Sequence, residues 1–306
     1  MGSGSYDYIS SHARTVNTYA HQSREQIFTS RRMNEELDIK GKIRESCDSD
    51  EHPESFPIII AFDVTGSMGH VPHRLISEDF PDIMKKIMDA GVPNPQICFM
   101  AIGDHYTDRA PIQVGQFESS DELLEKWLKM IYLEGAGGGN GGESYLLAWA
   151  VASRQTKIDS FNKRGVKGVL ITIGDDRTHK KVESNRNAAL LGGEGSFTAS
   201  EVLDEARKKY DVFHINVCDY LGNMAQVRDH WAELLGPNAI DTETEDGADI
   251  KNIIPKIVIK CYNKHCGKFG DAYPASEHND PIEVDSETPD ALQMMAFAAM
   301  MQSKNA

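Results

Sequence analysis

Three oxygen-bearing side chains lie close together in the segment Asp63-Val64-Thr65-Gly66-Ser67. The D-x-T-x-S spacing puts one carboxylate and two hydroxyls on a short loop, and Gly66 allows that loop to turn sharply. Carboxylate and hydroxyl oxygens are hard ligands, which suit Mg²⁺ or Mn²⁺ with water filling part of the coordination shell. The segment therefore predicts a divalent-cation site. The alternative is a strand-to-helix turn in which Asp63 and Ser67 act only as caps.

The elements around this loop predict that Asp63 lies at the carboxyl edge of a sheet. The apolar run directly before it is typical of a strand buried on both faces. Two further apolar runs, at 96–102 and 168–173, are followed by Asp104 and Asp175. Because ligands of open α/β sheets bind at the carboxyl ends of the strands, these aspartates are predicted to share one site.

Strands that alternate with helices over about 200 residues predict an α/β fold, with a doubly wound, mainly parallel, Rossmann-like sheet and helices on both faces. We expect this domain to span residues 57–262. An extended N-terminal arm at 1–56, with one short helix near Arg32–Glu45, precedes it, and a C-terminal extension at 263–306 follows. The predicted strands are 57–62, 96–102, 111–116, 168–173 and 212–217, and the predicted helices are 75–90, 120–132, 145–154, 200–210, 224–235 and 250–262.

The charge balance disfavours nucleic acid and membranes as partners. The chain has 47 acidic and 32 basic residues, for a net charge of −15. Such a surface repels phosphate backbones and anionic lipids, and attracts cations and basic proteins. No apolar run reaches the roughly 20 residues that a membrane-spanning helix needs, and the polar N-terminus does not resemble a secretory signal. Five widely spaced cysteines favour free thiols and a cytoplasmic location.

Three segments in order resemble the von Willebrand factor A (VWA) family. DVTGSM at 63–68 is similar to the family's metal-ion-dependent adhesion site, usually written DxSxS. ITIGDDRTH at 171–179 is similar to the later strand-then-Asp segment of that site, and GGGNGGES at 137–144 resembles a GGGDxPE variant of its second loop. Within the family, RESCDSDEHPESFP at 44–57 and LEGAGGGNGGESY at 133–145 resemble uncharacterised VWA proteins of bacteria and their phages.

The resemblance implies a ligand set, with Asp175 acting through water. The second loop lacks the family's usual Thr, so that Glu143 and Ser144 are the favoured replacements. The predicted metal ligands are Asp63, Thr65, Ser67, Asp175, Glu143 and Ser144. The residues predicted to surround them are Asn140, Asp104, His105, Asp176 and His179.

Two other patterns leave alternatives open. Asp104, His105 and Asp108 could form a second metal site or tune the first, although hydrogen bonds that tie loops together are the simpler interpretation. The run Gly137–Gly142 satisfies G-x-G-x-x-G, but a dinucleotide fingerprint needs a strand directly before it, and a helical pattern precedes this one. We therefore expect a metal-site loop there.

The C-terminal part of the chain carries two weaker signals. Cys261, His265 and Cys266 are only three zinc-type ligands and lack zinc-ribbon spacing. Residues 289–301 predict a Met-rich helix that is apolar nearly all round and must be covered. Docking on its own domain is the simpler interpretation, and a partner or self-association contact is the alternative.

These features predict a protein-binding VWA module rather than an enzyme. The cation would leave one coordination position open for an Asp or Glu of a partner protein, and the family analogy suggests an AAA+ ATPase as that partner. One alternative is a Mg²⁺-dependent phosphoester hydrolase, which the lack of a GK[ST] loop and of an evident nucleophile–base pair disfavours. The other alternative is a self-assembling structural protein that associates through residues 289–301.

Overall fold

The computed structural model describes residues 4–66, 68–135, 141–217, 224–244 and 247–266. The strands are β1 (Arg44–Ser46), β2 (Phe56–Asp63), β3 (Pro95–Ile102), β4 (Ile112–Val114), β5 (Thr156–Ile158), β6 (Gly168–Gly174), β7 (Lys181–Val182), β8 (Phe197–Thr198), β9 (Tyr210–Asn216) and β10 (Ala239–Asp241). The helices are α1 (Tyr8–Asn17), α2 (Arg24–Ile27), α3 (His70–Arg74), α4 (Phe80–Asp89), α5 (Asp121–Lys129), α6 (Tyr145–Arg154), α7 (Asp159–Arg164), α8 (Ser184–Leu190), α9 (Ala199–Lys209), α10 (Met224–Leu235) and α11 (Ile250–Cys266).

A six-stranded sheet with the order β10-β9-β6-β2-β3-β4 forms the centre of the domain. All neighbouring strands are parallel except β4, which runs antiparallel to β3. Along the chain, β3 and β4 are first added on one side of β2, and β6, β9 and β10 are later added on its other side. The strand order therefore reverses between β2 and β6, and this is the position at which open α/β sheets bind ligands. The predicted α/β class with a mainly parallel, doubly wound sheet is confirmed.

The two faces of β2 pack against different helices. Ile58, Ile60 and Phe62 belong to one core cluster, which also holds residues of α4 and α11. Ile59 and Ala61 point to the other face and join a cluster with α6, α9 and α10. This alternation is the period of two that a strand imposes, and burial on both faces accounts for the unbroken apolar run.

The N-terminal region differs from the expected extended arm. Helices α1 and α2 lie well before residue 32, and the segment 31–43 consists of turns and irregular backbone, so the short helix predicted near Arg32–Glu45 is wrong. Asp7 begins α1 because its carboxylate accepts the backbone N–H groups of Ile9 and Ser10. In the segment 31–43, Leu37 and Ile39 are each buried individually and do not form the apolar stripe of a helix.

The last described helix extends beyond the expected domain end. Helix α11 continues from Ile250 to Cys266, four residues past the predicted boundary at 262. Residues 267–306, which include the Met-rich segment 289–301, lie outside the described residues. No helix in the described ranges combines the length and apolar character that crossing a bilayer requires.

Candidate metal centre

Asp63 ends the central strand and is completely buried. Its Oδ1 accepts hydrogen bonds from the backbone N–H and the hydroxyl of Thr65, both at 2.7 Å. Its Oδ2 accepts the phenol of Tyr145 at 3.1 Å. The bonds to Thr65 close a tight Asp-headed turn at the end of β2, so the carboxylate is held in one orientation at the sheet edge.

A second carboxylate acts on Asp63 from the neighbouring strand. Burial raises the pKa of Asp63 to about 7, and the negative charge of Asp175 is the next largest cause. Asp175 directly follows β6, which pairs with β2 up to the contact of Phe62 with Ile173. The two aspartates thus lie at the carboxyl ends of the two strands between which the strand order reverses.

Glu143 lies in the loop before α6 and is held by its backbone. Its N–H donates to the Arg177 carbonyl at 2.8 Å, and its carbonyl accepts the N–H of His179 at 3.0 Å. The side chain is 2% exposed, and its Oε2 makes no hydrogen bond within the described chain. Burial raises its pKa to about 10, and the charges of Asp63 and then Asp104 add to this effect. Glu143 is therefore electrostatically coupled to both aspartates.

Ser144, the other candidate in this loop, is engaged elsewhere. Its Oγ accepts the backbone N–H of His105 at 2.8 Å and lies 2.7 Å from His105 Nδ1. Its own N–H donates to the Gly103 carbonyl at 3.1 Å. The negative charge of Asp63 therefore acts on the Glu143 side chain, whereas the Ser144 hydroxyl contacts His105.

Asp104, His105 and His179 form a compact cluster beside this loop. Asp104 is fully buried, and its Oδ1 lies 2.8 Å from His179 Nε2. Burial, followed by the effect of His179, lowers the pKa of His105 to about 4. Asp108 has a different role, since its Oδ2 accepts the backbone N–H of Asp104 at 2.8 Å and so closes the loop after β3.

The remaining predicted residues are placed as follows. Ser67 and Asn140 lie outside the described residues. Asp176 bonds to its neighbour and to α10, since its Oδ1 accepts the N–H of Arg177 at 2.7 Å and its carbonyl accepts the Trp231 indole N–H at 3.0 Å.

Sequence reasoning missed Tyr145, whose hydroxyl bonds to Asp63. Its position as the first residue of an otherwise apolar helix was the available signal, since a buried phenol needs a polar partner. Gly174 makes the contact feasible, because a Cβ at that position would collide with the Tyr145 hydroxyl.

No protein-family model matches the sequence, and no curated protein is detectably similar to it. Among solved structures, the pilus adhesin SpaC from Lactobacillus rhamnosus GG is 12% identical, with a TM-score of 0.43 over 72% of this chain and 31% of the adhesin. The vWF domain of the type V pili tip protein Mfa5 from Porphyromonas gingivalis is 10% identical, with a TM-score of 0.45 over 72% of this chain and 98% of that domain. The PilB minor pilin from Streptococcus sanguinis is 11% identical, with a TM-score of 0.39 over 67% of this chain and 62% of the pilin. This chain thus spans about a third of the adhesin's length.

Proposed function

We propose that this chain is a protein-binding module in which a Mg²⁺ or Mn²⁺ ion at the carboxyl ends of β2 and β6 captures an acidic residue of a partner. Asp63, Thr65 and Ser67 would hold the ion directly, and Asp175 would hold it through water. The observation that carries this proposal is the fully buried Asp63, whose strongest charged neighbour is another carboxylate, Asp175.

The residues present fit a hard divalent cation. Asp63 and Thr65 offer oxygen atoms only, and the buried Oε2 of Glu143 makes no hydrogen bond within the described chain. Neither Asp63 nor Glu143 forms an ion pair with another described residue. Burial and mutual repulsion raise the pKa of both carboxyls, and a bound cation would offset both effects and favour the ionised forms that ligate metal.

The surroundings of the site favour an acidic partner. On a chain of net charge −15, a bound cation would be a local positive charge that attracts a carboxylate. Magnesium commonly keeps exchangeable waters, one of which the partner's Asp or Glu would replace. Tyr106, beside His179, is 48% exposed, and the Arg186 guanidinium lies 5.4 Å from the centre of its ring. Tyr and Arg side chains are enriched in protein interfaces, and Tyr106 is the exposed member of this pair.

Calorimetry with Mg²⁺ and Mn²⁺ tests the cation site. We expect binding heat for the wild-type chain and none for Asp63→Ala. Asp82→Asn, which changes an exposed carboxylate on α4, is the matched control and should bind as the wild type does. Equal heats from the wild type and Asp63→Ala would remove the basis of the proposal.

Capture of proteins from the native host on the immobilised chain tests the binding function. A true partner should be retained in Mg²⁺, released by a chelator, and missing from the Asp63→Ala column. An AAA+ ATPase in the cytoplasm is the partner class that the VWA resemblance suggests. Metal-dependent turnover of phosphoester substrates that is lost in Asp63→Ala would instead favour the hydrolase. Solution mass with and without residues 289–306 would reveal self-assembly through the Met-rich segment.

A further inference from the structure

The loops after β3 and β6 bring two imidazoles and a carboxylate together outside the predicted ligand set. One ligand atom from each of Asp104, His105 and His179 lies within 4.8 Å of the other two. Among the described residues, no other group of three or more His, Cys, Asp or Glu side chains meets this spacing. Four-coordinate zinc has ligands at about 2.0–2.2 Å, which places neighbouring ligand atoms roughly 3.4 Å apart. Small side-chain adjustments would therefore close the cluster around one ion.

His105 is held like a metal ligand. The ring is 1% exposed, and its Nδ1 lies 2.7 Å from Ser144 Oγ, which fixes its orientation. The other nitrogen, Nε2, is buried and makes no hydrogen bond within the described chain. The backbone of Lys181 lies near the ring and raises the pKa of His105, against the larger effect of burial. Metal-bound histidines commonly have one nitrogen on the metal and the other in a hydrogen bond of this type.

Asp104 and His179 are also supported by neighbours. Asp104 Oδ1 accepts the backbone N–H of Tyr106 at 2.9 Å, and Oδ2 accepts the Thr107 hydroxyl at 2.9 Å. The 2.8 Å contact between His179 Nε2 and Asp104 Oδ1 is a hydrogen bond, so a metal ion would replace the shared proton. The His105 and His179 rings meet edge to face with their centres 5.0 Å apart.

We propose that Asp104, His105 and His179 form a second metal site, distinct from the one at Asp63, which takes a borderline transition metal such as Zn²⁺. Imidazole nitrogen suits zinc and its neighbours, whereas Mg²⁺ prefers oxygen ligands alone. Three protein ligands leave the fourth position of a tetrahedral ion for water. Glu143 lies beside the cluster, since its carbonyl accepts the N–H of His179 at 3.0 Å, and its Oε2, which makes no hydrogen bond within the described chain, would accept a hydrogen bond from that water.

Cobalt(II) is the probe that tests this site, because it substitutes for zinc and absorbs visible light when held in a site of low coordination number. Titrating the full chain with Co²⁺ in excess Mg²⁺ should give a visible band that saturates at one equivalent and is removed by Zn²⁺. His179→Ala and Asp104→Asn should each weaken Co²⁺ binding by more than about 100-fold, beyond the 10–100-fold typical of outer partners. Ser144→Ala, which removes only the support of His105, should weaken it by about 10–100-fold.

His265→Ala is the matched control. His265 Nε2 lies 2.6 Å from Asp211 Oδ2, so this pair resembles His179 and Asp104 but lacks a second histidine. The control should bind Co²⁺ as the wild type does. Loss of the visible band in His265→Ala would show that cobalt binds beside Cys261 and Cys266 instead. A strong near-ultraviolet band from thiolate ligands would show the same, and either result would overturn the proposal. Thermal melts will verify folding, and His179→Gln replaces His179→Ala if that variant does not fold.

The two metal sites can fail separately. Asp63→Asn should abolish Mg²⁺ binding and leave the Co²⁺ band in place, whereas His179→Ala should do the reverse. A wild-type chain without the band, or a band that persists in His179→Ala, would refute the second site while leaving the first untouched. A band that disappears in Asp63→Asn would show that cobalt occupies the first site, and would also refute the second.

Discussion

Buried carboxylates occur in two regions of this protein, and their surroundings differ. Asp121 and Glu125 of α5 are both bonded to the guanidinium of Arg14 from α1. At the carboxyl edge of the sheet, Asp63 and Glu143 are at least as deeply buried, yet neither forms an ion pair with another described residue. Their raised pKa values arise from burial and from other carboxylates.

Under the proposed function, this difference distinguishes a structural ion pair from a cation-binding site. Removing water from a carboxylate is costly, and pairing with a cation is the usual way in which a fold compensates. Between α1 and α5 the chain supplies that cation as Arg14. At the edge of the sheet the hydrogen bonds of Asp63 come from neutral groups, Thr65 and Tyr145. Protonation or an ion from solution would compensate for burial there, and our proposal assigns that role to the ion.

Arg14→Ala should have the largest effect, because it leaves the carboxylates of α5 without their cation. Asp121 and Glu125 have side chains only 7% and 9% exposed. We expect the free energy of unfolding, measured in urea, to fall by about 3 kcal/mol. Lys85→Ala is the control, since it removes an exposed pair with Asp89 and should change stability by less than about 0.5 kcal/mol. Similar losses in both variants would contradict the contrast between the regions.

His214 should respond to pH in the direction opposite to the edge carboxylates. The ring is fully buried, stacked on Trp231 at 3.5 Å, and burial holds its pKa well below 6.5. The unfolded chain takes up the proton near pH 6.5 and the folded chain does not, so this contribution is lost as pH falls, by up to about 1.4 kcal/mol per pH unit. Asp63, with a raised pKa, instead favours the folded state as pH falls towards 4.

Urea unfolding of His214→Gln at several pH values isolates the histidine contribution. The variant should be less stable than the wild type at pH 7, because it loses the stacking on Trp231. The difference between the two proteins should then shrink as the pH falls to about 5.5. A difference that stays constant across this range would show that His214 has the same pKa in the folded and unfolded chains, and would contradict this prediction.

Ser120→Ala should have a smaller effect on the free energy of unfolding. It measures how much the N-terminal cap of α5 contributes to stability. The Ser120 hydroxyl accepts the backbone N–H of Leu123 at 3.3 Å. Its loss should cost about 1 kcal/mol in the same urea assay, and Ser120→Asp, which can still cap the helix, should restore most of that. A loss as large as that of Arg14→Ala would mean that the cap, rather than the ion pair, holds the helix in place.

Much of the sheet could be predicted because its central strands are apolar throughout. The ends of α6 and α10 also coincide with the predicted ones, since apolar runs and flanking polar residues mark them. Strands of two or three residues, such as β1 and β7, are too short to show any period. Helix α1 was missed because it is held by polar contacts, including the buried hydroxyl of Thr15 on the Ile76 carbonyl, rather than by an apolar stripe.

The candidate site was predictable to the level of which strand ends meet. Apolar runs followed by Asp63 and Asp175 indicated the edge of the sheet, and the parallel pairing of β2 with β6 brings the ends of these two strands together. The choice between Glu143 and Ser144 depends on the backbone hydrogen bonds of Glu143 with Arg177 and His179. These residues lie more than 30 positions away in the sequence, so no local pattern reveals the bonds. The ligand roles of all these residues stay predictions.

Stability of the wild type and Asp63→Asn with and without Mg²⁺ tests the central claim most directly. Asparagine keeps the size of the side chain and removes one of two coupled negative charges. Without a divalent cation the variant should therefore melt at a higher temperature than the wild type. Added Mg²⁺ should raise the melting temperature of the wild type, because it binds the folded state, and leave the variant unchanged. A variant that is less stable without the cation, and that responds to Mg²⁺ as fully as the wild type, would contradict the account.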